Sequence, residues 1–365
     1  MNSLLRFIAL TKMLLAVTCY AALAQDATQL PATDIYLLDI YTDKKGRLQF
    51  ENPALITKNE NYDNQPWFYP DGSAILYTAV HDSSAGDSSK ADIYKYDMRT
   101  QKTSVVINTP LTAEYSPALM PNKTGISVVR VLQDNKSQVL ANCSDKEDDC
   151  TTLLPKLKNV GYYVWIDGSR VALYLVGDPA MLVVANLTTG KIDTIADDVG
   201  QCIKKVPGKN LQIAFVDKGS NPWTIKVYDG KGGKVSGLVP TLEDQEEFCY
   251  MPDGSLLMGS GSGLFHYVPP LAATTNTSSH GAPASKNAPA NSKNAPANSK
   301  NASNSKSAPV KPEKPKEEKS KKNDNGPWEQ VADFKDTPVY QFYRLAASPK
   351  GDKLAVVTYF DEKPE

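Results

Sequence analysis

Several carboxylates in this sequence stand directly before runs of strand-forming residues. They are Asp63, Glu114, Glu246 and Glu247. Oxygen ligands gathered in one place can hold Ca²⁺, and two carboxylates at a suitable separation can act as acid and base on a glycan. The same residues would also form a solvated acidic rim around the mouth of a channel. We favour this explanation because no Asp-x-Asp-x-Asp loop accompanies them.

Aromatic and amide side chains neighbour these carboxylates. Tyrosine in particular offers amphipathic contact area of the kind that recognises peptides and sugars. We predict a binding surface at one mouth of a central channel, made of Asp63, Gln65, Glu114, Tyr115, Tyr162, Gln201, Glu246, Glu247, Gln341 and Tyr343, with Tyr62 beside them. Ordinary packing within strands would explain about half of the aromatic and amide positions equally well.

Nucleophilic catalysis has little support in the sequence. A Ser-His-Asp arrangement needs a base beside its nucleophile, but the chain has only three histidines, His81, His266 and His280. The run Gly259-Ser-Gly-Ser-Gly is out of register with Gly-x-Ser-x-Gly and is typical of a turn. We predict no catalytic residue and no histidine-based metal site. The alternative is a glycan or lactone hydrolase or lyase that uses the carboxylates, with or without a divalent cation.

One phrase recurs along the chain about every 45 residues, a spacing within the range of propeller blades. Its most complete copy starts at Asn64-Gln-Pro-Trp-Phe-Tyr-Pro-Asp-Gly-Ser and continues through Asp92-Ile-Tyr-Lys-Tyr-Asp to Thr100-Gln-Lys-Thr-Ser-Val-Val-Ile. The Asp-Gly pair predicts a tight turn, and the runs around it alternate as strands do. Each copy therefore predicts four strands.

The last copy of the repeat is split between the two ends of the chain. Residues 345–359 supply two inner strands, while Asp34-Ile-Tyr-Leu-Leu-Asp-Ile and Ala54-Leu-Ile-Thr match the third and fourth strands. N-terminal strands that complete the final blade would pair edges that are otherwise exposed. We predict an all-β, six-bladed propeller of four-stranded antiparallel blades, closed by the N-terminal strands.

The repeat resembles that of the TolB-type β-propellers, in which Pro-x-Phe-Ser-Pro-Asp-Gly precedes a strand and then an Asp-Ile-Tyr-like strand. Pro66-Trp-Phe-Tyr-Pro-Asp-Gly is a nearly complete copy, whereas the second, third and fourth copies are degraded. The resemblance covers nearly the whole chain between its N-terminal segment and its end, apart from one insert. It implies a periplasmic or outer-surface location and a partner segment bound at the axial opening.

The first 24 residues are typical of a secretory signal peptide. Arg6 and Lys12 flank an apolar run that leads to Ala22-Leu23-Ala24. A lipoprotein that uses Cys19 is the alternative, although Thr18 is larger than the residue usual before such a cysteine. No later apolar run approaches the ~20 residues of a membrane span. We expect an exported protein, periplasmic or secreted.

Residues 271–326 differ in composition from the rest of the chain. Asn, Ala, Pro, Ser and Lys dominate, so we predict a disordered insert within blade five, between propeller parts at 25–270 and 327–365. Outside the insert and the first 24 residues the chain has 28 basic and 37 acidic residues, a balance that disfavours nucleic-acid binding. We expect a monomer that binds an envelope protein, a peptide segment or a glycan.

Four cysteines follow the first 24 residues, an even number that suits disulfides in an exported chain. Cys143 and Cys150 flank a polar loop between two strand-like runs, which favours a bridge across a hairpin. Cys202 and Cys249 occupy similar places in consecutive repeats. A bridge between neighbouring blades and two separate buried thiols are both compatible with that pattern.

Overall fold

A computed structural model describes residues 30–57, 61–80, 91–122, 124–144, 149–270, 325–339 and 341–359. Over these ranges the chain forms six four-stranded sheets and no helix. There is accordingly no helix within them that could cross a membrane. The predicted signal peptide, His81, His280 and all but the last two residues of the predicted insert lie outside the described residues.

Each of the first three sheets is a blade whose strands follow one another along the chain. Blade 1 contains β3 (Asp63–Phe68), β4 (Ala74–Val80), β5 (Ala91–Asp97) and β6 (Lys102–Ile107). Blade 2 contains β7 (Ala113–Leu119), β8 (Ile126–Val131), β9 (Gln138–Cys143) and β10 (Cys150–Thr152). Blade 3 contains β11 (Val160–Trp165), β12 (Arg170–Leu175), β13 (Met181–Asn186) and β14 (Ile192–Asp197).

The remaining sheets complete the six blades. Blade 4 contains β15 (Val199–Lys205), β16 (Gln212–Asp217), β17 (Thr224–Asp229) and β18 (Lys234–Pro240). Blade 5 contains β19 (Phe248–Tyr250), β20 (Leu256–Ser260), β21 (Gly263–Tyr267) and β22 (Glu329–Asp333). Blade 6 contains β23 (Arg344–Ala347), β24 (Lys353–Tyr359), β1 (Thr33–Thr42) and β2 (Leu48–Leu55).

Blade 6 joins the two ends of the described chain. Strand β1 pairs antiparallel with β24 from Thr33 opposite Tyr359 to Asp39 opposite Lys353. The amide of Thr33 also donates to the carbonyl of Asn61 at 2.9 Å, just before blade 1. The predicted six-bladed fold, with closure by the N-terminal strands, is thus confirmed. The fourth strand of blade 6 is β2, somewhat earlier than the predicted run that begins at Ala54.

Burial falls from the inner strands outward within a blade. All seven residues of β4 are buried, whereas the first four residues of β6 are exposed. The turn between β3 and β4 follows the predicted chemistry, because Asp71 accepts hydrogen bonds from the amide of Ser73 at 2.9 Å and Gly72 has a φ of +74°. Glycine adopts that left-handed conformation without steric cost. These turns fix where each inner strand ends.

The cysteines fall into two classes. Cys143 and Cys150 form the predicted disulfide between paired positions of β9 and β10. Cys202 and Cys249 are separate buried thiols, in agreement with the second of the two alternatives for this pair. Cys202 donates to the carbonyl of Phe248 and packs between blades 4 and 5, while Cys249 packs on the blade 6 side. Because Phe248 and Cys249 are consecutive in a strand, their side chains point to opposite faces.

Candidate binding cavity of the central channel

The innermost strands of blades 1 and 2 are each interrupted by a bulge. The register of β3 against β4 shifts between Asn64 and Trp67, and that of β7 against β8 shifts between Tyr115 and Ala118. Gln65 and Ser116 have φ values of 57° and 53°, a region that residues with a Cβ rarely adopt. The carboxamide oxygen of Gln65 accepts from the Ser116 amide at 2.7 Å, which ties the two bulges together.

One residue from each blade contributes to a polar layer across the channel. We call this the channel layer, and its members are Gln65, Ser116, Tyr162, Gln201, Glu247 and Arg344. Nη2 of Arg344 lies 3.2 Å from Oε1 of Glu247 and 3.3 Å from the hydroxyl oxygen of Tyr162. Gln201 approaches the same carboxylate oxygen at 3.5 Å. The layer therefore connects blades 3, 4, 5 and 6 through side chains alone.

Arg344 is the centre of this layer. Its side chain is only 9% exposed, and its guanidinium carbon lies 5.0 Å from the ring centroid of Tyr162. Burial alone would lower the pKa of Arg344, but Glu247 and the surrounding tyrosines outweigh it and hold the pKa well above the ordinary value. The layer thus holds a permanent positive charge next to a carboxylate.

Two cavities adjoin the channel layer on its opposite sides. The larger, of about 820 Å³, extends from the layer to the turns that follow the inner strands, where Asp71, Pro121 and Gly168 are exposed. The smaller, of about 230 Å³, lies where the inner strands begin and is bordered by Gln341 and Tyr343. Glu247 and Arg344 border both cavities.

The walls of the larger cavity are mainly aromatic and apolar. Trp67, Met120, Trp165, Tyr250 and Leu345 line it, as do prolines of the inner strands and of the turns that follow them. The Trp165 indole nitrogen donates to the Ser127 hydroxyl at 2.9 Å, so the side of Trp165 that faces the cavity is apolar. A largely apolar cavity of this volume with a few polar groups has the usual character of a ligand site.

Two of the predicted binding carboxylates do not reach either cavity. The carboxylate of Glu114 is fully buried, where it pairs with Arg130 (Nε–Oε1 3.1 Å) and accepts from the hydroxyls of Thr109 and Thr112 at 2.6 and 2.8 Å. Asp63 is likewise fully buried. The expected solvated rim is therefore corrected at these two positions. Tyr115 also borders neither cavity and instead packs edge to face on Tyr62.

The other predicted binding residues do border the channel. Gln65, Tyr162, Gln201 and Glu247 line the larger cavity, while Gln201, Glu246, Glu247, Gln341 and Tyr343 line the smaller one. Glu246 is neutralised locally, because its carboxylate lies 2.9 Å from the ammonium group of Lys218. A ligand at the smaller cavity would therefore meet ion pairs, with few free carboxylates.

Sequence reasoning did not identify Arg344 as a candidate. The sequence feature that points to Arg344 is its position directly before the apolar run that starts at Leu345. A charged residue in a buried strand is rarely tolerated without a partner. The partners, Glu247 and Tyr162, are 97 and 182 positions away. The alternative of a Ca²⁺ site would likewise need ligands drawn together, and within the described ranges no group of three or more His, Cys, Asp and Glu side chains could hold a metal ion.

Solved structures with a similar fold are β-propellers. The structure described as TolB from Agrobacterium tumefaciens aligns with a TM-score of 0.54 at 11% identity, over 91% of this chain and 99% of that chain. TolB from Acinetobacter baumannii aligns with a TM-score of 0.49 at 15% identity, over 65% of this chain and 61% of that chain. Oligogalacturonate lyase from Vibrio parahaemolyticus aligns at 0.42 and 12% identity, over 67% of this chain and 80% of that chain.

Neither a protein-family model nor a curated protein matches the sequence. The chain spans about three fifths of the Acinetobacter protein. At identities this low, likeness establishes the architecture and leaves function to the site itself. Six four-stranded blades and the alignment with the Agrobacterium structure agree on that architecture. The chain has the fold of the TolB-type β-propellers.

Proposed function

We propose that this protein is a non-enzymatic binding module whose ligand enters the larger cavity from the turn end and stops at the channel layer. The observation that carries the proposal is an apolar cavity of about 820 Å³ with a floor of interlocked polar side chains. Burial of a ligand against such walls is favourable in proportion to the apolar area removed from water. The floor limits how far a ligand can enter and gives it polar groups to orient against.

An exported location fits this role. The N-terminal pattern is that of a secretory signal peptide, and the disulfide between Cys143 and Cys150 suits an oxidising compartment. The ligand is then a protein segment, a peptide or a glycan of the cell envelope. The excess of acidic residues outside the insert argues against nucleic acid.

Gly168 offers a direct way to block the cavity. It lies at the cavity rim, and a Cβ added there would meet no atom within 4 Å. Gly237, on the exposed outer strand β18, is a matched control, because the nearest atom to an added Cβ is 3.9 Å away. Both positions should accept tryptophan without loss of the fold.

The experiment screens a displayed library of short random peptides and a panel of neutral oligosaccharides for binding to the full-length mature protein. Ligands of the proposed site should bind the wild type and Gly237→Trp alike but lose at least about tenfold in affinity for Gly168→Trp, a loss of about 1.4 kcal/mol. If every ligand that is found binds Gly168→Trp as well as it binds the wild type, the cavity is not the site.

A further inference from the structure

Four residues that line the larger cavity each have a buried polar atom without a hydrogen-bond partner. The atoms are Nε of Arg344, Oε2 of Glu247, the hydroxyl oxygen of Tyr250 and the hydroxyl oxygen of Ser116, each without a partner among the described residues. An unmet buried polar atom is unfavourable, and native structures contain only a few. Three of the four belong to the adjacent blades 5 and 6 and only Ser116 to blade 2, so most of the unmet hydrogen-bonding capacity lies at one side of the cavity floor.

The chemistry of these atoms is complementary. Nε of Arg344 can only donate, and the carboxylate oxygen of Glu247 can only accept. Because the guanidinium and the carboxylate neutralise each other across 3.2 Å, the pair favours an uncharged group over a carboxylate or an ammonium. A carboxamide satisfies both atoms at once, since it carries a carbonyl acceptor beside an N–H donor.

The walls restrict what can bring a carboxamide to this floor. Met120 and Leu345 offer no polar partner, so a glycan would leave hydroxyls unpaired against them. A peptide with apolar residues around one Asn or Gln brings no other polar side chain against these walls. The Asn or Gln side chain of the peptide is also narrower than the peptide backbone. It can reach the cavity floor without placing neighbouring backbone amides of the peptide against the apolar walls.

We propose that the larger cavity recognises an apolar peptide segment through one Asn or Gln side chain, whose carboxamide binds Arg344 and Glu247 together. This rests on the proposed function and specifies its ligand. The partnerless atoms are closed off from solvent, so Arg344 and Glu247 must rotate slightly as the carboxamide arrives. The hydroxyl of Tyr250 is placed to bind a remaining lone pair or N–H of the same ligand.

The test uses peptides from the library that Gly168→Trp excludes. Each is resynthesised with Gln, Glu, Lys or Met at every position in turn, and affinities for the full-length mature protein are measured by fluorescence anisotropy. We expect one position at which Gln binds at least about tenfold tighter than the other three. In Glu247→Gln the preference at that position should change from Gln to Glu, because Arg344 loses its counter-charge. Glu243→Gln, at an exposed carboxylate, should leave the preference unchanged.

The wild-type series alone can overturn the inference, even if Glu247→Gln fails to fold. A preference for Glu, Lys or Met at every position contradicts it, and so does a set of excluded ligands that contains oligosaccharides but no peptides. Either result leaves the cavity as a binding site. If Gly168→Trp excludes no ligand at all, the proposed function itself fails.

Discussion

Arg344 on the last blade donates to the hydroxyl of Tyr162 on the third blade, with 3.3 Å between Nη2 and the phenolic oxygen. In a ring of six blades these two stand opposite each other, so their contact spans the channel. Glu247 supports the guanidinium from the neighbouring blade 5. The contact divides the channel into the two cavities and gives the larger one its floor.

The Arg344 ion pair makes a first prediction about stability. Arg344→Met should lower the free energy of unfolding by about 3 kcal/mol, because the Glu247 carboxylate is left in the layer without its cation. Urea titration followed by tryptophan fluorescence measures the change. Adding Glu247→Leu should recover most of the loss, since an apolar pair needs no counter-charge.

Arg47 supplies the control for that comparison. It pairs with Asp43 at 2.7 Å, but its side chain is 65% exposed. Arg47→Met should therefore cost less than about 1 kcal/mol. Equal losses for Arg344→Met and Arg47→Met would mean that the channel layer does not form as described.

Asp92 predicts a pH dependence of stability. Burial, with a smaller contribution from Glu114, raises the pKa of Asp92 to about 7. A carboxyl with a raised pKa in the folded state contributes stability that is complete below its unfolded pKa and is lost as the pH rises to about 7. Asp92→Asn should not lose this stability, so above pH 7 its free energy of unfolding should exceed that of the wild type by about 2 kcal/mol. This is half of the value that the pKa shift would give without solvent screening.

Thermal unfolding of both proteins from pH 4 to pH 8 measures this difference. Asp97 is the control, because hydrogen bonds from Thr100 lower the pKa of its carboxyl. Its contribution to stability is complete above the unfolded pKa and is lost as the pH falls, so the difference between Asp97→Asn and the wild type should stay constant near neutral pH and shrink only toward pH 4. A constant difference between Asp92→Asn and the wild type over the whole range would show that Asp92 ionises normally.

The cysteines predict a labelling pattern. Cys202 and Cys249 are each only 3% exposed, and burial raises the pKa of Cys249 to about 12 and that of Cys202 as well. Iodoacetamide should label neither thiol in the native protein and both after denaturation without reductant, since the thiolate is the reactive form. Peptide mapping reads the result. If Cys202 and Cys249 in the denatured protein react only after reductant is added, the two residues form a second disulfide and are not free thiols.

Closure of the ring makes a prediction about β1. Ile35 is fully buried against residues of blades 1 and 6, including Tyr77 and Val357. Ile35→Ala should lower the free energy of unfolding by about 3 kcal/mol, as much as Leu173→Ala in the middle of blade 3. Val105→Ala, on an exposed outer strand, is the control and should change little. An effect of Ile35→Ala no larger than this control would mean that the ring is not closed by β1.

The scaffold was predictable because its signals are local. Asp71 and Gly72 specify a turn from two adjacent residues, and Cys143 and Cys150 face each other across one hairpin. Even closure was readable, since the unmatched strands at the two chain ends complement each other.

The site was less predictable because its contacts are distant in sequence. Glu114 looked like a rim carboxylate, but Arg130 from the next strand and two threonines enclose it. The alternation of side chains between the two faces of a strand also breaks at the bulge of Gln65. The sequence therefore could not show on which side of the channel layer the larger cavity lies. The role of Arg344 depends on contacts among residues of three blades, and these contacts exist only in the folded chain.

The position of a bound peptide in crystals of the complex is the most direct test of the account. A peptide that Gly168→Trp excludes should lie between the channel layer and the turns that contain Asp71 and Gly168. A peptide seated in the smaller cavity beside Gln341 and Tyr343, or on the outer strands, would contradict it.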